Sequence, residues 1–250
     1  MSYNRMLATK DYGKFLIDIC YETEPYKFTK YDSSVDELKK LIDDKYIDEN
    51  MYKGKSCVIV ASGGSVLEKE LGCEIDKFDL VVRTNLATFE GFEKHAGSRT
   101  DVRFMSHKTF GNTLKNEDFS AYDIDYIPNS NSHLIIRSAG NVGSMMPGFA
   151  MNKNGKNKFS ILDLDYNLHL DRLADNRHSC TVGFSTVYTM MNFGCDVSIY
   201  GFDFYDPSKA CHYFEEVSTI ANRGRVNHNV LNEKKQFDYL IEIGKIKRLQ

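Results

Sequence analysis

SCVIVASGGSVLEKELG (56–72) is the stretch that decides how this chain folds. Its first part, SCVIVAS (56–62), is a short, continuous apolar run rich in β-branched residues. A strand buried on both faces reads this way, as the strands of a parallel sheet do. Gly63-Gly64-Ser65 follows at once, and VLEKELG (66–72) then continues in helical register. The segment is therefore strand, glycine loop, helix. FDLVVRTN (78–85) and CDVSIYGFDFY (195–205) are further buried strands, and TDVRFMS (100–106) is another, ending at His107. TVGFSTVYTMMNFG (181–194) reads as a helix stopped at Gly194.

Further out, HNVLNEKKQFDYLIEIGKIKRL (228–249) reads as helical, with Leu231, Phe237, Leu240 and Ile241 as its apolar stripe. SSVDELKKLIDDKY (33–46) places Val35, Leu38, Leu41 and Ile42 on one helical face behind an N-cap at Ser33 or Ser34. Between 107 and 160, IDYIPN, SHLIIRSAG and KFSILDLDYN are short strand-like runs around a Gly-, Asn- and Met-rich loop. Strands alternating with helices predict the α/β class: a single Rossmann-like domain with a mainly parallel sheet flanked by helices. Residues 1–53 are expected as a helical lead-in and 54–250 as the main domain.

Composition narrows the function. The chain has 250 residues, of which 42% are apolar and 27% charged, which excludes a disordered or collagen-like protein. Lys plus Arg number 32 against 35 Asp plus Glu, a net charge of −3, so the basic surplus of a nucleic-acid binder is absent. No run of about 18 apolar residues exists to span a membrane. MSYNRMLATKDYGKF (1–15) lacks a signal-peptide core. As written the protein is expected to be cytoplasmic or peripheral to a membrane. None of the six cysteines forms a CxxC pair, so they read as free thiols rather than zinc ligands. The basic end (Lys245, Lys247, Arg248) reads as a solvated helix terminus, with contact to an anionic membrane or glycolipid as the other use.

In parallel sheets, ligands bind beyond the carboxyl ends of the strands. Three such ends carry distinctive residues: Ser62-Gly63-Gly64-Ser65, Arg83-Thr84-Asn85 and Gly201-Phe202-Asp203-Phe204-Tyr205. The glycine loop could admit an anion to its backbone N–H groups, although neither GxGxxG nor a P-loop is present. Asn85 can offer an amide and a carbonyl to a base or sugar. DID (123–125) and DLD (163–165) match a metal-holding DxD pattern, but such triplets are expected by chance, and alternation in ILDLDYN would put both Asp residues of the second on one strand face. His212 sits in HYFEE (212–216) and His228 in HNVLNE (228–233), where Glu233 could steady the first helical turn or touch the imidazole. A histidine is the usual side chain for taking a proton from a hydroxyl near neutral pH.

Taken in order, these segments resemble the sialyltransferases. SCVIVASGGSVLEKELGCEIDKFDLVVRTNLATFEGFEKHAGSRTDVRFMS (56–106) is similar to the long L motif of the animal enzymes, and TVGFSTVYTMMNFGCDVSIYGFDFY (181–205) to their S motif. HYFE (212–215) has the form of motif III, and HNVLNE the His-x4-Glu form of motif VS. The second half also resembles the small bacterial lipooligosaccharide sialyltransferases.

The resemblance implies a sialyltransferase variant of the GT-A fold and an inverting, metal-independent transfer from CMP-sialic acid to a glycan or glycolipid hydroxyl, with no cofactor. His228 would be the general base, and Tyr205 and His212 would hold the departing phosphate. Asn85 would contact CMP, the Gly63-Gly64-Ser65 loop would lie beside ribose and phosphate, and Thr181 and Gly183 would meet cytidine or the donor carboxylate. Ser62, Gly201 and Asp203 join that donor-binding set. Cys57 and Cys195 would be a disulfide or a close pair, and an enzyme trimmed of its anchor would belong in the Golgi lumen. Three departures stand out: Ser62 replaces the usual Asn, Val182 replaces Ser or Thr, and the Gly183 to Cys195 spacing is one residue longer. Transfer of another CMP-linked ulosonic acid, such as Kdo, would use the same histidines. A dinucleotide-dependent oxidoreductase, suggested by the 56–71 segment and Asp79, has the wrong glycine spacing and leaves both histidines unused. A non-catalytic binding module would have no need of them.

Overall fold

The computed structural model describes residues 51–112, 132–137, 158–162, 164–174, 179–215 and 228–250. The helix expected over 33–46, the triplet at 123–125, IDYIPN, the Gly-, Asn- and Met-rich loop and Asp163 lie outside them. Strands among the described residues are β1 (Ser56–Val60), β2 (Leu80–Thr84), β3 (Val102–Ser106), β4 (His133–Arg137), β5 (Lys158–Leu162), β6 (Asp196–Tyr200) and β7 (Ile246–Arg248). Helices are α1 (Gly72–Ile75), α2 (Glu93–Ala96), α3 (His107–Asn112), α4 (Leu164–Leu173), α5 (Val182–Asn192) and α6 (Val230–Glu242). The chain divides into two compact units, one of Glu49–Asp101 with Leu168–Gln250, the other of Met1–Asp48 with Val102–Asn167.

In the first unit β1 lies between β2 and β6, all parallel, with Cys57 opposite Leu80 and Ser56 opposite Asp196. β7 continues the parallel set beyond β6, Val197 opposite Ile246. Val58, Ile59, Val60, Val81 and Val82 are fully buried, as the continuous apolar runs predict. Each such side chain contributes about 1.5–3 kcal/mol. In the second unit β3, β4 and β5 pair in parallel, Val102 opposite His133 and His133 opposite Lys158. The α/β class with parallel strands is thus observed directly.

Three sequence expectations are corrected. VLEKELG is not a full helix: Gly64–Glu68 is a 3-10 turn, and α1 begins only at Gly72. The C-terminal segment is not helical to its end. Gly244 takes φ +70, which favours glycine, and the chain leaves α6 there to lay down β7 with Ile246 buried. Lys247 and Arg248 are therefore strand residues, Lys247 pairing with Asp196 at 2.8 Å. Finally, the alternation read through ILDLDYN stops at Leu162. Asp165 lies on helix α4, not on a strand face.

Candidate functional site

β1, β2 and β6 end together, and the loops that leave them meet in one pocket of about 680 Å³, its open mouth included. Ser62, Gly63, Asn85, Thr181, Gly183, Gly201, Asp203, Tyr205 and His212 all line it, although they come from four separate stretches of sequence. Gly64, Ser65 and His228 are not on its lining, while Val230 and Glu233, from the start of the helix after His228, are.

The glycine loop is built into its surroundings through its own amides. Ala61 N–H donates to the Tyr200 carbonyl (2.9 Å), Gly63 to Gly201 (3.0 Å), Gly64 to Ala210 (3.0 Å) and Val66 to Gly63 (3.1 Å). Ser65 N–H donates to the Asp203 carboxylate at 2.8 Å. These are the groups that an anion would otherwise find at a glycine loop. Here they hold the pocket wall. The glycine at 63 is needed for approach: a Cβ there would fall 2.5 Å from Asp203 Oδ2 and 2.6 Å from the Gly201 carbonyl. The segment carrying His212 is docked on the same loop, since Tyr213 N–H donates to the Ser62 carbonyl at 2.9 Å.

At the end of β2, Arg83 and Asn85 divide the work. Arg83 is fully buried and donates to the Ala96 carbonyl (2.7 Å), the Arg99 carbonyl (2.9 Å) and Thr100 Oγ1 (2.9 Å). It braces the strand end. Asn85 then turns into the pocket with φ +48, a left-handed conformation that Asn tolerates better than most residues. Phe204 and Tyr205 also take positive φ, +50 and +55. Such conformations are strained for bulky residues and cluster at functional sites. Burial, then Cys211 and Glu233, push the Tyr205 phenol up to about 12, so it stays a hydrogen-bond donor across the physiological range.

The opposite wall is joined by side chains. Glu233, 2% exposed, accepts from Thr181 N–H at 2.8 Å and from the Thr181 hydroxyl at 2.6 Å. The same hydroxyl accepts from Phe184 N–H and so caps α5. Both Thr181 donors are thus engaged by the protein. His228 Nδ1 meets the Ser179 carbonyl. A carbonyl only accepts, so Nδ1 carries the hydrogen, and the neutral ring keeps its lone pair on Nε2. His212 Nδ1 donates to Glu215 Oε2 at 2.7 Å, and its ring stacks on Phe214 with centroids 5.2 Å apart. These two contacts hold the imidazole in place.

Cys57 and Cys195 are hydrogen-bonded free thiols. Donation from Cys57 holds the Cys195 thiol below its ordinary range, and the same contact, with burial, pushes Cys57 up. Among the described residues no group of three His, Cys, Asp or Glu is placed to hold a metal ion, and no helix is long and apolar enough to cross a membrane.

The model of glycosyltransferase family 29 (sialyltransferase) matches residues 14–245. The chain belongs to that family. The human CMP-N-acetylneuraminate-beta-1,4-galactoside alpha-2,3-sialyltransferase is 27% identical over 217 residues, covering 75% of this chain and 55% of that protein. The chimpanzee lactosylceramide alpha-2,3-sialyltransferase is 26% identical over 252 residues, 90% of this chain and 69% of its own. The chain therefore spans only about half the length of the curated relatives it matches first. A crystal structure of a mammalian sialyltransferase in complex with Gal-beta-1-3GalNAc-ortho-nitrophenol superposes over 100% of this chain and 90% of its own, with a TM-score of 0.65 at 20% identity. At that identity the likeness is one of fold. Membership of family 29 sets aside the oxidoreductase reading. Among the pocket's residues, Glu233 is the one whose role the sequence left open. Its spacing from His228 suggested a local partner, whereas its partner is Thr181, 52 residues away.

Proposed function

We propose that the protein transfers sialic acid from CMP-sialic acid to a hydroxyl of a galactose-containing glycan, with inversion and without a metal. The observation that carries this is the tautomer of His228, set by the Ser179 carbonyl, beside a helix latched through Glu233 to the pocket wall. The acceptor oxygen attacks the anomeric carbon while Nε2 of His228 takes its proton. The bond from that carbon to the phosphate oxygen breaks, and CMP leaves with the electron pair. Tyr205 and His212 line the pocket where that charge develops and stabilise it, Tyr205 through its hydroxyl and His212 as an imidazolium whose Nδ1–H is held by Glu215 and whose Nε2–H donates to the phosphate. Asn85 orients the CMP portion. The galactoside acceptor is inferred from relatives named for a beta-1,4-galactoside and for lactosylceramide.

The test is CMP release from CMP-sialic acid in EDTA, followed by transfer to lactose, for the wild type and His228→Ala. The wild type is expected to release CMP with EDTA present. His228→Ala is expected to lose about 10²–10⁴-fold in transfer while still binding CMP. Release from CMP-Kdo but not from CMP-sialic acid would change the donor. Absence of both CMP release and CMP binding would overturn the reading.

A further inference from the structure

We infer that Asp203 is a positioning residue: its carboxylate fastens the glycine loop to the segment that carries His212, instead of touching the donor. The inference rests on the sialyl-transfer reading only for what the pocket binds. Its geometry is independent of that reading.

Three pocket elements meet at this one residue, two of them at its carboxylate. The first is the glycine loop: Asp203 Oδ2 accepts from Ser65 N–H at 2.8 Å and packs so closely that only a glycine fits at 63. The second is the strand-end loop, where the Asp203 carbonyl accepts from Asp206 N–H at 3.0 Å and turns the chain. The third is the segment leading to His212. Lys209 Nζ lies 4.0 Å from Asp203 Oδ1 and 2.9 Å from Glu68 Oε1, on the turn that follows the glycine loop. Three residues after Lys209, the His212 imidazole faces the pocket. The Asp203 side chain is only 9% exposed.

Charge argues the same way. The donor brings two anionic groups, a phosphate and a carboxylate, into a pocket whose lining includes Asp203. A carboxylate reaching directly for such a ligand would repel it. The Asp203 carboxylate is instead turned to the wall, one oxygen accepting from Ser65 N–H and the other 4.0 Å from Lys209, which it shares with Glu68.

The decisive measurement is hydrogen exchange on the ligand-free protein, wild type against Asp203→Ala, read over residues 62–66 and 209–213. A positioning role predicts faster exchange in both stretches with no donor present, together with a donor KM raised about tenfold and an unchanged acceptor KM. Asp203→Asn keeps an acceptor for Ser65 N–H and is expected to restore most of the donor KM. Lys209→Met is expected to loosen 209–213, and its effect on donor KM should be less than additive with that of Asp203→Ala. If Asp203→Ala does not fold, Asp203→Asn and Lys209→Met carry the test, since each leaves Ser65 an acceptor. Unchanged exchange with a raised donor KM, or additive effects of the two substitutions, would assign Asp203 to direct donor contact and overturn the inference. A wild type that binds no CMP would overturn the sialyl-transfer reading, whereas the exchange result would still decide the role of Asp203.

Discussion

The two walls of the pocket are held by different chemistry. The wall of the glycine loop is fastened mainly by backbone: four of its amides meet carbonyls, and one meets the Asp203 carboxylate. The wall formed by the starts of α5 and α6 is fastened by side chains, Glu233 to Thr181 and His228 to Ser179. Backbone bonds survive most substitutions, so the first wall is sensitive to added atoms. Side-chain latches disappear with one residue, so the second is sensitive to removed ones. On the proposed reaction the first wall would face the donor and the second would hold the base, His228.

Removing the latch should have the largest effect. Glu233→Ala leaves both Thr181 donors without their acceptor, at a cost of about 1–3 kcal/mol each. The expected result is a fall in melting temperature of several degrees, with transfer lost more severely than CMP binding. Calorimetry and turnover on one preparation check it. Equal losses in binding and turnover would erase the distinction between the walls.

Adding one carbon to the other wall should come next. Gly63→Ala places a Cβ 2.5 Å from Asp203 Oδ2 and 2.6 Å from a carbonyl. Overpacking of this kind costs about 1–3 kcal/mol, and CMP affinity is expected to weaken with it. Isothermal titration with CMP reads the change. Undiminished affinity would mean that the loop yields and is not rigid.

Smaller effects sharpen the picture outside the walls. Cys195 should be alkylated by iodoacetamide well before the buried Cys57, because its thiol is held low while that of Cys57 is pushed up. Peptide mass spectrometry after timed labelling gives the order, and faster labelling of Cys57 would contradict the assigned donor. Tyr205 offers the mildest test. Its folded pKa, about 12, lies above the unfolded value of about 10. The neutral phenol therefore favours the folded state, fully below pH about 10, and that contribution fades as the pH rises through about 12. Tyr205→Phe should flatten the stability profile in that window, as denaturant melts at stepped pH would report.

Strand–loop–helix order was legible because buried parallel strands are written as unbroken apolar runs. β1, β2, β3 and β6 fall within the segments read as strands, and α5 within the one read as a helix. The ends were less legible. VLE in VLEKELG and IKR after Gly244 look helical in isolation, yet a 3-10 turn and a strand form there because neighbours, not propensity, decide the pairing.

The residues facing the pocket were legible as types at strand ends. Which of them would touch one another was not. Sequence alone determined the α/β class, the three loop ends where chemistry could gather, and the two histidines with acidic neighbours. Only the tertiary structure decided that the glycine-loop amides are engaged within the protein, that Glu233 reaches Thr181 across 52 residues, and that Asp203 reaches Ser65 across 138. Local patterning follows from side-chain burial one element at a time. A hydrogen bond between distant loops depends on where the packed strands deliver them, and no period in the sequence encodes that.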